Sequence, residues 1–208
     1  MLTVTQLIDD VARDLQDPTH IRWTRPELLD YFNAAQRKFA EHRPDQLAQE
    51  RDLELVAGWR QSLPADVLML IDISSNSNTA QKRITKTNLW VLDAVSGGWR
   101  GMAGAREVLH FMHDMRMPRE FLVYPPVVAG VKVRAMIEPE VVDLADEAAP
   151  PFVAGQWMDA LRHFVLFRAW SKDAEFGGNA SIASAHLQLF NDALGVQAKA
   201  SNEMAPAS

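Results

Sequence analysis

Apolar side chains recur at helical spacing within the first 43 residues. One set follows the i, i+3, i+4 spacing of a single helix face: Val4, Leu7, Ile8, Val11, Ala12 and Leu15. A second set repeats at intervals of four, three and four residues: Leu28, Phe32, Ala35 and Phe39. Thr24 and Glu27 form a capping-box sequence ahead of the second set. The pattern predicts amphipathic helices over 3–16 and 24–43.

The middle of the chain changes to the two-residue alternation that is typical of β-strands. Strands are predicted at 52–55, 61–64, 106–114, 121–124 and 131–137. The first two should form a hairpin that turns at Gly58, and Pro125 should end the fourth. Residues 67–73 are a continuous apolar run, which fits either a buried strand or a short helix. We therefore expect a small antiparallel β insertion over about 50–137.

Helical spacing returns near the C-terminus. Trp157, Leu161, Phe164 and Val165 would share one helix face, and the pattern predicts helices over 154–176 and 179–195, separated at Gly177-Gly178. Gly195 fits a helix C-cap, and the polar residues that follow have little to bury.

These elements together predict an α+β fold that is mainly α. We expect a bundle of two N-terminal and two C-terminal helices, interrupted by the small antiparallel β insertion. The helices and the insertion would form one domain over 1–196, and residues 197–208 would be a flexible tail.

The charge balance argues against general affinity for nucleic acid. The net charge is −6 with a pI near 5.5, so the chain as a whole repels DNA phosphates. In the second predicted helix, bases such as Arg37 alternate with acids, which is typical of a solvated, ion-paired surface. The chain has no cysteine, and the acidic N-terminus does not resemble a signal peptide, so we expect a soluble protein.

The chemical motifs in the sequence give no positive reason to expect an enzyme. His110, His113 and Asp114 lie close enough in sequence to suggest a metal site, but a strand would point the two histidines to opposite faces. The glycine-rich stretch 97–104 lacks the Lys-Ser/Thr of a phosphate-binding loop and is better suited to burying Trp99. We expect no catalytic residues, no metal and no cofactor.

Several stretches resemble the head-to-tail adaptor (connector) proteins of tailed bacteriophages. They are LIDDVARDLQD, RWTRPELLDYFNAAQRKFAEHRPD, FLVYPP, and the C-terminal helix pair broken by GGN. The resemblance implies a structural virion protein of the phage neck, assembled in the host cytoplasm. It implies a ring, commonly of twelve copies, beneath the portal protein. The ring joins the head to a tail or nozzle protein and lines the channel through which DNA leaves without specific binding.

The resemblance also suggests which residues make contacts in the particle. In many such adaptors the C-terminal segment docks on the portal, which here assigns Val196, Met204 and Pro206 to portal binding. Trp23, Arg25, Arg37 and Lys38 are candidates for the interface between neighbouring subunits.

Two other classes of function remain open. One is a DNA-binding packaging protein of the small-terminase type, in which the first two helices act as a helix-turn-helix. The other is a metal-dependent hydrolase that uses His110, His113 and Asp114. Salt-sensitive binding to duplex DNA would support the first, and stoichiometric zinc would support the second.

Overall fold

The computed structural model describes residues 2–77, 82–173 and 176–203, with the backbone alone from residue 196 onward. Over these residues it contains five α-helices: α1 (Val4–Asp14), α2 (Arg25–His42), α3 (Leu89–Val95), α4 (Met158–Lys172) and α5 (Asn179–Glu203). The strands are β1 (Gln49–Glu54), β2 (Gly58–Ser62), β3 (Val67–Asn76), β4 (Thr85–Lys86), β5 (His110–His113), β6 (Glu120–Val127) and β7 (Lys132–Pro139).

The chain divides into two compact units. The helical unit comprises Met1–Gln46 and Val141–Ser208, and the β unit comprises Leu47–Glu140. The prediction of a mainly helical bundle with a small β insertion is wrong. The fold is 41% helix and 24% strand, with seven strands in two sheets over the described residues. The β unit is not a minor excursion, because it has a hydrophobic core of its own.

The helical unit buries the apolar stripes that the sequence pattern indicates. α4 packs against α1, α2 and α5. α1 begins with a capping box in which Thr3 and Gln6 exchange hydrogen bonds. The capping box expected at Thr24 is absent: the Thr24 side chain makes no cap bond, and Glu27 pairs with Lys172 instead. The long-range ion pair has replaced the local cap.

The last helix is longer than its apolar pattern suggests. α5 continues to Glu203, past Gly195, where the sequence pattern predicts the end of the helix. Gly195 has ordinary helical neighbours rather than the left-handed backbone that a glycine C-cap requires. α4 begins at Met158, after a short 3₁₀ turn over Gly155–Trp157.

The β unit consists of a three-stranded sheet in the order β1-β7-β3 and a four-stranded sheet in the order β2-β6-β5-β4. The predicted hairpin is wrong, because β1 pairs with β7 and β2 pairs with β6. The expectation of a wholly antiparallel insertion is wrong as well, because β4 and β5 are parallel. Inward residues of both sheets form one core that includes Leu70, Ile73, Phe111, Val123 and Ile137.

The structure decides one open alternative and corrects the expected end of one strand. The apolar run that begins at Val67 is strand β3, so the strand alternative is the correct one. β6 does not end at Pro125 but continues through both prolines to Val127, with a cis peptide bond at Tyr124–Pro125. The prolines lie where the β2–β6 register shifts, a position at which a missing ladder N–H is tolerated.

Candidate interaction surfaces

A carboxylate organises the turn that leads into α2. Asp17 accepts hydrogen bonds from the backbone N–H groups of Ile21, Arg22 and Trp23 at 3.0, 2.7 and 2.9 Å. The pKa of Asp17 is lowered, chiefly by the Trp23 N–H bond, against an opposing effect of burial. The basic, aromatic start of the RWTRPEL stretch is therefore held in a fixed turn.

Trp23 belongs to the interior of the helical unit. Its side chain is 7% exposed. The indole Nε1 donates to the backbone oxygen of Ala169 at 3.3 Å, and its ring meets Trp170 edge to face at 6.2 Å between centroids. These contacts fasten the start of α2 to α4.

Arg25 connects three segments of the helical unit. Its guanidinium donates to both carboxylate oxygens of Glu147 at 2.7 and 2.6 Å and to Asp9 at 2.7 Å. The hydrogen bonds from Arg25 to Glu147 are the largest cause of the raised pKa of Arg25. Thr5 also donates its hydroxyl to the backbone oxygen of Glu147 at 3.1 Å. The acidic residue after the β unit is thereby tied to both N-terminal helices.

Polar side chains of α2 hold the segment that follows the β unit. Asn33 exchanges two hydrogen bonds with the backbone of Leu144, at 3.0 and 2.9 Å. The side-chain oxygen of Gln36 accepts the N–H of Phe152 at 2.7 Å, and Arg37 forms an ion pair with Asp143. Basic and amide groups of α2 are thus engaged within the chain, which reduces what α2 can offer to phosphates.

The four residues predicted for a subunit interface fall into two groups. Trp23 and Arg25 make the internal contacts described above. The side chains of Arg37 and Lys38 remain 48% and 43% exposed, with Lys38 paired to Glu41 at 2.7 Å. Of the residues predicted to bind the portal, Val196 lies on α5 with its side chain outside the described residues, and Met204 and Pro206 lie outside them entirely.

The three residues considered for a metal site have separate partners. His110 shares a 2.5 Å hydrogen bond with Thr85, and Nε2 of His113 lies 3.3 Å from the backbone oxygen of Pro118. Asp114 binds Arg116, whose hydrogen bonds lower the pKa of Asp114 to about 2. Among the described residues, no group of three or more histidine or acidic side chains is placed to hold a metal ion.

The glycine-rich stretch buries Trp99, which is 1% exposed. The rings of Trp59 and Tyr124 meet it edge to face at 5.8 and 5.9 Å. Its Nε1 donates to Asp93 at 2.8 Å, and Arg100 lies over its ring at 4.6 Å. Trp99 is therefore an anchor of the β unit.

An apolar groove of about 630 Å³ lies between α3 and the turn after β5. We call it the α3 groove. Trp90, Met115 and Met117 are 72%, 64% and 49% exposed along it. Its charged lining residues are already in ion pairs within the chain: Asp93 with Arg100, Asp114 with Arg116, and Glu120 with Arg60. The exposed tryptophan and methionine side chains remain available to a partner.

Sequence reasoning missed the α3 groove. The available signal was the pair of methionines two residues apart in DMRMPRE, directly after a strand.

The model of the SU10 adaptor protein family matches residues 2–208, which is nearly the whole chain. The chain belongs to the SU10 adaptor protein family. A comparison with curated proteins finds no match.

Membership of the SU10 adaptor family confirms the resemblance to phage head-to-tail adaptors. The chain is thus a structural adaptor protein of a phage, and its family implies contacts with portal and tail components at the neck of the virion. Within the described residues, no helix combines the length and apolar character that a membrane span requires.

Proposed function

We propose that copies of this SU10-family adaptor form a closed ring beneath the portal, join the phage head to the tail, and line the channel through which DNA leaves. The observation that carries the proposal is the family match over residues 2–208. The ring of twelve copies follows from the resemblance to head-to-tail adaptors. A ring subunit needs rigid units and two different lateral faces, because its contacts run head to tail around the ring.

The α3 groove is our candidate for one lateral face, and its occupant is a neighbouring copy of this chain. Exposed tryptophan is a frequent anchor of protein interfaces, and methionine adapts to the shape of a partner. Because the charges that line the groove are paired within the chain, a protein surface suits it better than phosphates do. Arg37 and Lys38, each about half exposed, are proposed as polar contacts between subunits, while Trp23 and Arg25 support them by fixing α2.

Trp90→Ala should weaken assembly on the portal without unfolding the protein. If Trp90 is an interface anchor, its loss should weaken subunit association roughly tenfold or more. The side chain is 72% exposed, so the melting temperature should change little. The measurement is the number of copies bound per portal, by native mass spectrometry at graded concentrations. Val56→Ala, at a 61% exposed position of the β unit outside the groove lining, is the control. Equal assembly of both variants would remove the groove from the interface.

The charge arrangement supports passage of DNA without tight binding. The net charge is −6, and three arginines of the second helix region form ion pairs with acids of the same chain: Arg22 with Asp173, Arg25 with Glu147, and Arg37 with Asp143. A small-terminase role would need these cations for phosphates. We therefore do not favour the DNA-binding alternative. Duplex binding that weakens steeply with salt would revive it.

The C-terminal segment is the proposed contact with the portal, through Val196, Met204 and Pro206. Deletion of residues 197–208 should leave the melting temperature nearly unchanged, because the buried α5 residues Phe190 and Leu194 precede the deletion. Portal attachment should weaken at the same time, as measured by co-sedimentation with portal rings. A variant with the same segment replaced by glycine and serine controls for chain length. Unaltered attachment of the deletion variant would exclude the tail as the portal contact.

A further inference from the structure

Two histidines on different helices of the helical unit face each other. Nδ1 of His163 on α4 lies 3.1 Å from Nδ1 of His186 on α5. The ring planes are 29° apart, with centroids separated by 5.2 Å. The separation of the centroids is larger than the Nδ1–Nδ1 distance by nearly two ring radii, so both Nδ1 atoms lie close to the line that joins the ring centres. The rings therefore meet edge to edge rather than face to face. The contact is therefore an in-plane hydrogen bond between the two Nδ1 atoms.

Such a bond depends on the number of protons that the pair holds. In the neutral pair, the Nδ1–H group of one ring donates the hydrogen bond, and the Nδ1 of the other ring accepts it with its lone pair. A first added proton binds the outer Nε2 of the donor ring, and the bond remains. A second added proton must occupy the accepting Nδ1. Two N–H groups and two positive charges then face each other, and the bond is lost.

The surroundings oppose charge on the pair. Burial is the largest cause that lowers the pKa of both histidines, and the charge of His163 further lowers the pKa of His186. Asp14 of α1 raises both pKa values, Asp159 raises that of His163, and Arg162 lowers both. Asp14 is itself bound by Arg162, at 3.0 and 2.6 Å, which neutralises part of its effect.

We propose that His163 and His186 form a proton-operated clamp that holds α5 against α4 at neutral pH and loosens when the pair becomes doubly protonated. α5 leads into the segment that we assign to the portal contact, so the clamp would regulate how firmly that segment is presented. Only this regulatory role rests on the proposed function. The α5 residues Phe190 and Leu194 are also buried, so the clamp changes how easily the helix opens and does not carry its attachment alone.

The direction of the pH effect follows from the lowered pKa values. Because the folded protein binds protons to these histidines more weakly than the unfolded chain does, the unfolded state is favoured as the pair titrates. The stabilisation is present above the ordinary histidine pKa of 6.5 and is lost as the pH falls below it, through the folded pKa values. The two histidines should titrate as a coupled pair, in two separated steps.

The decisive experiment is amide hydrogen exchange of the full chain between about pH 8 and about pH 5, corrected for intrinsic rates. Amides around His186 should lose about tenfold protection in the wild type, on the order of the loss of one hydrogen bond between the helices. The double variant His163→Gln with His186→Gln can hydrogen-bond but cannot titrate, so it should show no such loss. His110→Gln, which removes an imidazole from the β unit, should behave as the wild type around His186. Equal pH dependence in the wild type and the double variant would overturn the proposal.

A second measurement covers the case in which the double variant does not fold. Titration of the wild-type histidines by NMR should show two coupled steps for His163 and His186, the second well below the first. Two independent titrations near 6.5 would overturn the clamp. Portal binding is assayed separately: its absence at every pH would refute the proposed function while leaving the clamp intact.

Discussion

Phe32→Ala is expected to lower the free energy of unfolding of the helical unit by about 3–5 kcal/mol. Phe32 is fully buried, at 0% exposure, on the apolar stripe of α2. α2 packs directly against α4, so removal of the ring leaves a cavity between helices that cannot close freely. Urea denaturation, followed by circular dichroism at the helical band, measures the change.

Phe176→Ala provides a matched control for this experiment. Phe176 is 65% exposed in the helical unit, and its loss should change stability by less than about 0.5 kcal/mol. An unchanged denaturation midpoint for Phe32→Ala would contradict the burial of that face of α2.

Trp99→Ala should destabilise the β unit by about 3–5 kcal/mol. The ring is 1% exposed and is surrounded by Trp59, Tyr124 and Arg100. Its loss would also leave Asp93 with one hydrogen-bond donor fewer. Urea denaturation followed in the near-ultraviolet, where clustered aromatic rings contribute, measures the effect.

The same substitution at Trp90 distinguishes packing from surface exposure. Trp90 lies in the same unit, but its side chain is 72% exposed. Trp90→Ala should therefore leave stability nearly unchanged, as expected for the assembly experiment. A loss of stability as large as that of Trp99→Ala would show that α3 is packed differently.

Local periodicity is sufficient to place the first two helices. α1 and α2 bury the predicted residues, among them Leu7, Val11, Leu28 and Phe39, because a helix aligns them on one face within the segment itself. The strands were harder to place, because their partners are distant in sequence. Leu53 pairs with Val133 in one sheet, and Gln61 pairs with Phe121 in the other. Alternation predicts a strand but does not identify its partner, so the pattern alone does not separate the two sheets.

The contacts that define the candidate surfaces are also long-range. Arg25 binds Glu147, which lies 122 residues further along the chain, and composition alone does not indicate that pairing. The α3 groove joins a short helix to a turn that follows a strand, and the His163–His186 contact joins two helices across 23 residues. None of these pairings follows from the local pattern, because only the fold brings their residues together.

Native mass spectrometry of the full chain mixed with the portal ring of the same phage tests whether this adaptor forms a ring beneath the portal. We expect a complex that adds a closed set of adaptor copies to each portal, twelve by the resemblance to head-to-tail adaptors. Failure of the two to associate, at any salt or protein concentration, would contradict the role of this chain as a ring beneath the portal.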